Sequence, residues 1–463
     1  MNPLLISQIA EFAGASLESG DRNVLVDKIS TDSRTLTRGD LFVALRGENF
    51  DGHQFVEAAA KSGAAGAMVD QTWSGKLPNE FAILRTGDTL RGYQNLAANY
   101  RRSLPIKVLA ITGSNGKTST KDFAASVLGR KFRVSKTEAN FNNHVGLPRT
   151  ILDATSEHDV GVWEIGMNHP GEIATLAKIA APDAAIITNI GVAHIEFMGS
   201  REAIAQEKGA LAEAIGSNGT VILNAEDPSS ESIAKRTGAK VVFAGINRGT
   251  VRAIDLRQSA EGSEFTILEG AHRCRAQLPV PGLHMIQNAL LAIAAGRAFG
   301  LSIEECADGL AAAPLTKARL QIKQVCGVQF IDDSYNANPD SMTAALRTLV
   351  ELTTEGKRIA VLGEMRELGS ELERGHAQVG KAAAEFGIDR LIAIGENGAI
   401  IARAAEEAGL QNSRAVGSTA EAAELLCDIA APGDLVLIKG SRLSQTERVI
   451  EEFARRQTEG ATR

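Results

Sequence analysis

Short apolar runs, each closed by glycine, asparagine or an acidic residue, alternate along the chain with stretches of helical period. The runs at 108–111, 160–166, 184–190 and 221–224 are short and nearly uninterrupted, so they predict buried strands of a parallel sheet. A second series at 328–331, 359–362, 391–394 and 435–438, with helical stretches between, predicts a Rossmann-like sheet. The first hundred residues carry shorter elements, with strands at 40–45 and 67–69 and a helix at 54–61. Alternation and turn residues at 251–278 predict a small antiparallel excursion, and a helix follows at 285–299. The fold class is therefore α/β in three domains. The expected bounds are 1–102 for an N-terminal α/β domain, 103–314 for a central domain with parallel sheet and excursion, and 315–463 for a C-terminal Rossmann-like domain. A linker is expected at 314–319, and the last residues, 457–463, are expected to fray.

The strand at 108–111 runs into Thr112-Gly113-Ser114-Asn115-Gly116-Lys117-Thr118-Ser119-Thr120, after which Phe123, Ala124, Val127 and Leu128 recur at helical spacing. Strand, glycine loop and helix form the context of a phosphate site. Gly113 and Gly116 let backbone N–H groups turn inward, and the helix N-terminus adds its own donors for a polyphosphate. Lys117 offers a charge to the β- and γ-phosphates, and the Thr118 hydroxyl can reach Mg²⁺. The spacing T-G-x-x-G-K-T is shorter than the usual P-loop, whose first glycine would fall at Ile111. The alternative is a glycine-rich turn that merely links strand to helix.

Other candidates lie at strand ends or on helical faces. Glu164 sits near the end of the run at 160–166, where parallel sheets gather ligands, and is placed to hold a metal beside the triphosphate. Lys208 shares one helical face with Ile204, Leu211 and Ile215. Either desolvation lowers its pKa and leaves a nucleophilic amine, or the side chain snorkels to water. His194, after the run at 184–190, is either a satisfied structural histidine or a site residue. The amide-rich patch at 137–144 is too polar for a core, and the segments at 332–339 and 439–442 sit at ligand-facing strand ends. On residue chemistry alone, the polar clusters at 31–34 and 46–53 read as ordinary loops, with a small anionic-ligand site at Ser33 and Arg34 as the alternative.

Composition narrows the classes. At 463 residues with 44% hydrophobic content, several cores are expected. A net charge of −7 without a long basic block argues against nucleic acid as a partner. The four cysteines, Cys274, Cys306, Cys326 and Cys427, are scattered with no C-x-x-C, which fits a reduced, cytoplasmic protein without structural zinc. The chain has no uninterrupted apolar run of about 18 residues, so no membrane insertion is expected. No basic segment followed by a long apolar stretch opens it, so no secretory signal is expected.

The motifs together resemble the Mur ligases in order and spacing, over nearly the whole chain. They are T-G-S-N-G-K-T, E-A-N-F-N-N at 138–143, E-I-G from Glu164, N-I-G-V-A-H ending on His194, Lys208, and D-D-S-Y-N-A-N-P at 332–339. D-L-F-V-A-L-R-G-E-N-F-D-G-H-Q-F, E-A-N-F-N-N-H-V-G-L-P, N-A-N-P and G-E-M-R-E-L-G at 363–369 resemble the branch that adds D-Ala-D-Ala. The D-N-P-R motif of the diaminopimelate- and lysine-adding branches is absent. The resemblance implies an ADP-forming amide ligase of cytoplasmic peptidoglycan precursor synthesis. With ATP and Mg²⁺ it would join D-Ala-D-Ala to UDP-N-acetylmuramoyl-tripeptide through an acyl phosphate, working as a monomer.

The same resemblance implies roles. The first domain would bind the UDP substrate, the central one ATP and the third the amine. Gly113, Ser114, Asn115, Gly116, Lys117, Thr118 and Ser119 would hold ATP, with Asn288 on the adenine side and Arg319 and Asp333 reaching the nucleotide from the C-terminal domain. Thr118, Glu164, His194 and Lys208 as a carbamate would hold Mg²⁺, and Lys117, Glu164, His194 and Lys208 form the catalytic set. Ser33 and Arg34 would meet the UDP end, which reverses the plain-loop reading, while Asn140, Asn142, Asn143, Asn336 and Asn338 would contact substrates. Two positions depart from the family pattern. Its H-N-x-x-N reads His284-Met285-Ile286-Gln287-Asn288, and the residue pair after Lys208 is Gly209-Ala210 where Gly-Glu is usual. Two rival readings are a sibling ligase for diaminopimelate or lysine, and a non-catalytic NTP-dependent switch protein.

Overall fold

The computed structural model describes residues 1–47, 50–314 and 316–461. Glu48 and Asn49 of the polar loop, Leu315 of the expected linker, and Thr462 and Arg463 of the expected frayed tail lie outside the described residues. A five-stranded sheet in the first hundred residues runs in the order Ser16–Ser19, Ala82–Thr86, Gly66–Asp70, Leu41–Val43, Ile29–Ser30, all parallel except the first pair. Its expected strand at 40–45 shortens to Leu41–Val43, and the expected helix at 54–61 opens as a 3-10 turn, Gly52–Phe55, before Val56–Lys61. The Asp51 side chain accepts from His53 N at 3.0 Å and sets that tighter start.

The nine-stranded central sheet places Lys107–Thr112 between Val160–Glu164 and Ala184–Ile187, parallel to both. The register sets Glu164 beside Ile111, and Ile187 beside Thr112. Chain direction across the sheet reverses about this strand, so its end is a topological switch point, the place where α/β sheets open a crevice. These strands are buried on both faces because helices cover both sides. Leu283–Ala298, apolar nearly all round, packs on Lys117–Leu128. The excursion forms three antiparallel strands, Val251–Ser259, Gly262–Glu269 and His272–Leu278, which extend the same sheet.

The strand expected at 184–190 ends at Ile187, because Thr188, Asn189 and Gly191 turn away to brace the glycine loop. The C-terminal sheet runs Gln321–Val325, Val328–Asp333, Leu435–Lys439, Arg358–Leu362, Arg390–Ile394, Ser413–Val416, parallel apart from its first pair. The tail expected to fray is helical through Glu447–Ala461. Val449, Ile450 and Phe453 bury one face of that helix against the sheet, and Arg456 pairs with Glu452 one turn earlier. No helix among the described residues is long and apolar enough to cross a membrane.

Candidate functional site

The glycine loop is built by close approach. A Cβ at Gly113 would collide with the Thr188 hydroxyl, and one at Gly116, where φ is 77°, would collide with the Asn288 amide. The loop is held from the neighbouring strand end. Ser114 N donates to Asn189 O at 2.9 Å, Asn115 N to Asn189 Oδ1 at 2.9 Å, and Gly191 N to Ser114 Oγ at 2.8 Å. Lys117 opens the following helix, and its Nζ donates back to the Gly113 carbonyl at 2.8 Å and more weakly to Ser114 O at 3.4 Å. Desolvation pushes the Lys117 pKa down, against the pull of the Glu164 carboxylate.

Glu164 is buried at the end of its strand. The Thr118 hydroxyl donates to its Oε2 at 3.0 Å and Asn142 Nδ2 to its Oε1 at 2.7 Å, while its own N–H donates to Thr137 Oγ1 at 2.9 Å. Thr118 and Glu164 are hard oxygen donors beside a phosphate loop. That is the partial set Mg²⁺ takes when phosphate and water complete its shell.

Lys208 lies in the helix Arg201–Glu213 and is 1% exposed, so it does not snorkel. No ion pair reaches its Nζ among the described residues. Burial, with Lys117 adding repulsion, drives its pKa well below the usual lysine value and favours a neutral amine, the form that can take up CO₂. Lys208 does not line the cleft; it stands behind it, close enough to feel both Lys117 and Glu164.

His194 caps a short helix, Ile195–Met198, with φ 63°. Its Nδ1 lies 2.5 Å from Glu367 Oε2, so the ring has a carboxylate partner at the wall of the cleft that Glu164 also lines. The histidine ring in turn holds the Glu367 carboxyl below its usual pKa.

Two adjoining cavities meet at the loop. One, of 430 Å³, brings together Lys117, Thr118, Asn140, Asn142, Asn143, Glu164 and His194 from the central domain with Arg319, Asn336, Asn338 and Glu367 from beyond it. The second, of 270 Å³, is lined by Gly116, Ser119, Asn288, His284, Arg319 and Asp333. Lys439 is enclosed there with Nζ 2.6 Å from Asp333 Oδ2, and desolvation lowers its pKa. Asn143 closes a local turn, its Oδ1 accepting from Gly146 N at 2.8 Å. Arg319 stacks on the Tyr335 ring at 4.3 Å, between Ala318 and Leu320, whose φ values of 56° and 50° are both positive.

Ser33 and Arg34 are not brought into either cavity. They form an exposed 3-10 turn in which Arg34 grips Asp32 through two bonds, 2.8 and 2.9 Å. Sequence reasoning missed Glu367, Asn189 and the Asp122–Thr316 bond of 2.8 Å that ties the linker to the phosphate-loop helix. For Asn189 the signal was present, as an amide one residue past an apolar run.

Family models match most of the chain. "Mur ligase middle domain" covers residues 111–296, "Mur ligase, glutamate ligase domain" 318–442, and "Mur ligase family, catalytic domain" 25–76. The UDP-N-acetylmuramoyl-tripeptide–D-alanyl-D-alanine ligase of Bacillus subtilis is 38% identical, with 97% of this chain and 98% of that protein covered. The Escherichia coli ligase of the same name is 36% identical, with 97% and 98% covered. Among solved structures, MurF from Acinetobacter baumannii superposes with a TM-score of 0.91 at 31% identity, covering 98% of this chain and 99% of that one. MurF from Thermotoga maritima in complex with ADP gives 0.83 at 27% identity, with 92% and 97% covered.

Proposed function

The chain belongs to the Mur ligase family, and from that premise we propose how its own residues carry an ATP-driven amide ligation. The activity is that of a UDP-N-acetylmuramoyl-tripeptide–D-alanyl-D-alanine ligase. ATP is consumed to join D-Ala-D-Ala to the nucleotide-linked tripeptide, a step of peptidoglycan precursor synthesis. The observation that supports the residue roles best is the 430 Å³ cleft into which the phosphate loop, Glu164 and the 336–338 motif all open.

In this reading the tripeptide's terminal carboxylate takes the γ-phosphoryl group of ATP, and the amine of D-Ala-D-Ala then displaces phosphate from the acyl phosphate. Carboxylate and phosphate repel, so catalysis is mainly electrostatic. Lys117 exchanges its loop carbonyls for the β- and γ-phosphates, beside the N–H groups of the loop. Thr118, Glu164, His194 and, once carbamylated, Lys208 would hold Mg²⁺, which would supply the remaining positive charge. Asn142 and Thr118 fix the Glu164 carboxylate, and Asn142 reorients only if that bond breaks. Asn288 and His284 line the adenine side, and Arg319 and Asp333 the phosphate and ribose side.

Ser33 and Arg34 act at the UDP end, with Arg34 leaving Asp32 to do so. Asn140 and Asn143 edge the channel toward the phosphates. The work divides among domains 1–102, 103–314 and 315–463, for UDP substrate, ATP and amine, in a cytoplasmic monomer. The test is ADP release with UDP-N-acetylmuramoyl-tripeptide and a panel of D-Ala-D-Ala, L-Ala-L-Ala, D-Ala, L-Lys and meso-diaminopimelate. Strong preference for the D,D-dipeptide is expected. Turnover with lysine or diaminopimelate on the dipeptide-bearing nucleotide would move the chain to the sibling class, and no ADP release with any pair would leave a switch protein.

A further inference from the structure

The dipeptide carries two charges, an amine that attacks and a terminal carboxylate that must be kept away from the phosphates. The amides of the 336–338 motif offer the carboxylate a single neutral donor, Asn336 Nδ2, since Asn338 Nδ2 is spent on Asn115. Asn338 Oδ1 accepts from Ser341 N at 2.9 Å and its Nδ2 donates to Asn115 Oδ1 at 2.6 Å, while Asn336 Oδ1 accepts from Ala337 N at 2.9 Å. The inner cations of the cleft are also engaged. Lys117 is folded onto the loop carbonyls, Lys439 is bound by Asp333 and the Asn336 carbonyl, and Arg319 lies on Tyr335.

Two lining guanidiniums remain, Arg366 and Arg442. They stand on two strand-end loops of the C-terminal sheet that are laced together. Gly363 N donates to Lys439 O at 2.8 Å and Ser441 N to Glu364 O at 2.9 Å. Their side chains are 57% and 60% exposed, and each has one carboxylate neighbour: Glu364 at 3.4 Å for Arg366, Glu447 at 2.7 Å for Arg442. Both therefore keep N–H donors directed to no acidic partner. Glu367, next to Arg366, sets its own carboxylate against His194. The C-terminal wall of the cleft thus offers a pair of exposed guanidiniums, suited to the carboxylate end of a zwitterionic dipeptide whose amine faces the phosphoryl group.

We infer that Arg366 and Arg442 clamp the C-terminal carboxylate of the dipeptide substrate, an inference that rests on the ligase reading above. The planar fork of a guanidinium matches a carboxylate with two parallel bonds, and two such forks fix the dipeptide's direction.

The experiment compares D-Ala-D-Ala with D-alanyl-D-alaninamide, which lacks the carboxylate charge, in the parent and in Arg366→Gln and Arg442→Gln. The KM for ATP serves as a fold control in each protein. In the parent the amide should raise KM about 10- to 100-fold, the range for losing a charge-assisted contact. In each variant KM for D-Ala-D-Ala should rise by a similar factor while KM for the amide barely changes, so the ratio of the two collapses. A parent that turns over both dipeptides with equal KM overturns the clamp and leaves the ligase reading intact. Variants that keep the full amide penalty overturn it as well. A parent inactive with D-Ala-D-Ala removes the ligase reading, and the clamp with it.

Discussion

Asn338 of the C-terminal domain donates its side-chain amide to Oδ1 of Asn115 in the phosphate loop, at 2.6 Å across 223 residues of sequence. The same side chain caps the helix Pro339–Glu351, with Oδ1 accepting from Ser341 N. One residue thus ties the glycine loop at 113–116 to the 336–338 motif. The two roles separate by substitution. Asn338→Asp keeps a good cap but loses the donor and sets a carboxylate against Asn115 and the phosphates. Its stability in urea should stay within about 0.5 kcal/mol of the parent, while kcat/KM should fall at least about tenfold. Asn338→Ala should lose about 1 kcal/mol of stability as well. Parent-level turnover by the aspartate variant would mean that the contact is structural only.

In the proposed mechanism Lys117 screens the transferring phosphoryl group, and its Nζ rests on two loop carbonyls that the phosphates would replace. Lys117→Ala should lose about 3 kcal/mol of transition-state stabilisation, or roughly two orders of magnitude in kcat. Thermal unfolding of the variant should change little, since the side chain meets only loop carbonyls. Ligation at the parent rate would remove Lys117 from the mechanism.

The parallel strands were legible because their runs are buried on both faces, as Val160–Glu164 and Lys107–Thr112 show. The glycine-lysine loop was legible because few other sequences place two glycines, a lysine and hydroxyls between strand and helix. Edge strands were not. Ser16–Ser19, Gln321–Val325 and Ser413–Val416 are half polar, and their strand state comes from the partner they pair with. Contacts across domains were also silent. Nothing in the sequence near His194 announces Glu367, and Asn338 read as a substrate amide before the fold brought Asn115 to it. The expectation of fraying covers only 457–463, and residues 457–461 continue the helix Glu447–Ala461, whose last turn has no apolar stripe of its own to signal it.

Lys208 is expected to work as a carbamate, since burial drives it toward the neutral amine that adds CO₂. Lys208→Ala should be nearly inactive, and a short carboxylic acid in the buffer should partly restore it by standing in for the carbamate oxygens. Lys208→Arg should stay inactive with or without the acid, because a guanidinium cannot ligate Mg²⁺. Full activity of the arginine variant would end the carbamate idea.

His284 gives the fold an acid-sensitive side. Its ring lies between the 270 Å³ cavity and the helix Pro339–Glu351, and burial lowers its pKa to about 4, with Asp333 pulling the other way and Lys439 reinforcing burial. In the unfolded chain the ring titrates near 6.5. Between about 6.5 and about 4 the unfolded chain therefore binds a proton that the folded one does not, and stability falls as pH falls through that window. Above it both rings are neutral and below it both are charged, so the contribution is flat on either side. The shift corresponds to about 3 kcal/mol, less whatever water reaches the ring edge from the two cavities. His284→Gln removes the titration. Urea unfolding of parent and variant from pH 7 to pH 4.5 should give curves that converge as the solution becomes acidic, with the parent losing about 2 kcal/mol more over the range. Curves that stay parallel would show that the ring titrates alike in both states, and that the cavity leaves it fully hydrated.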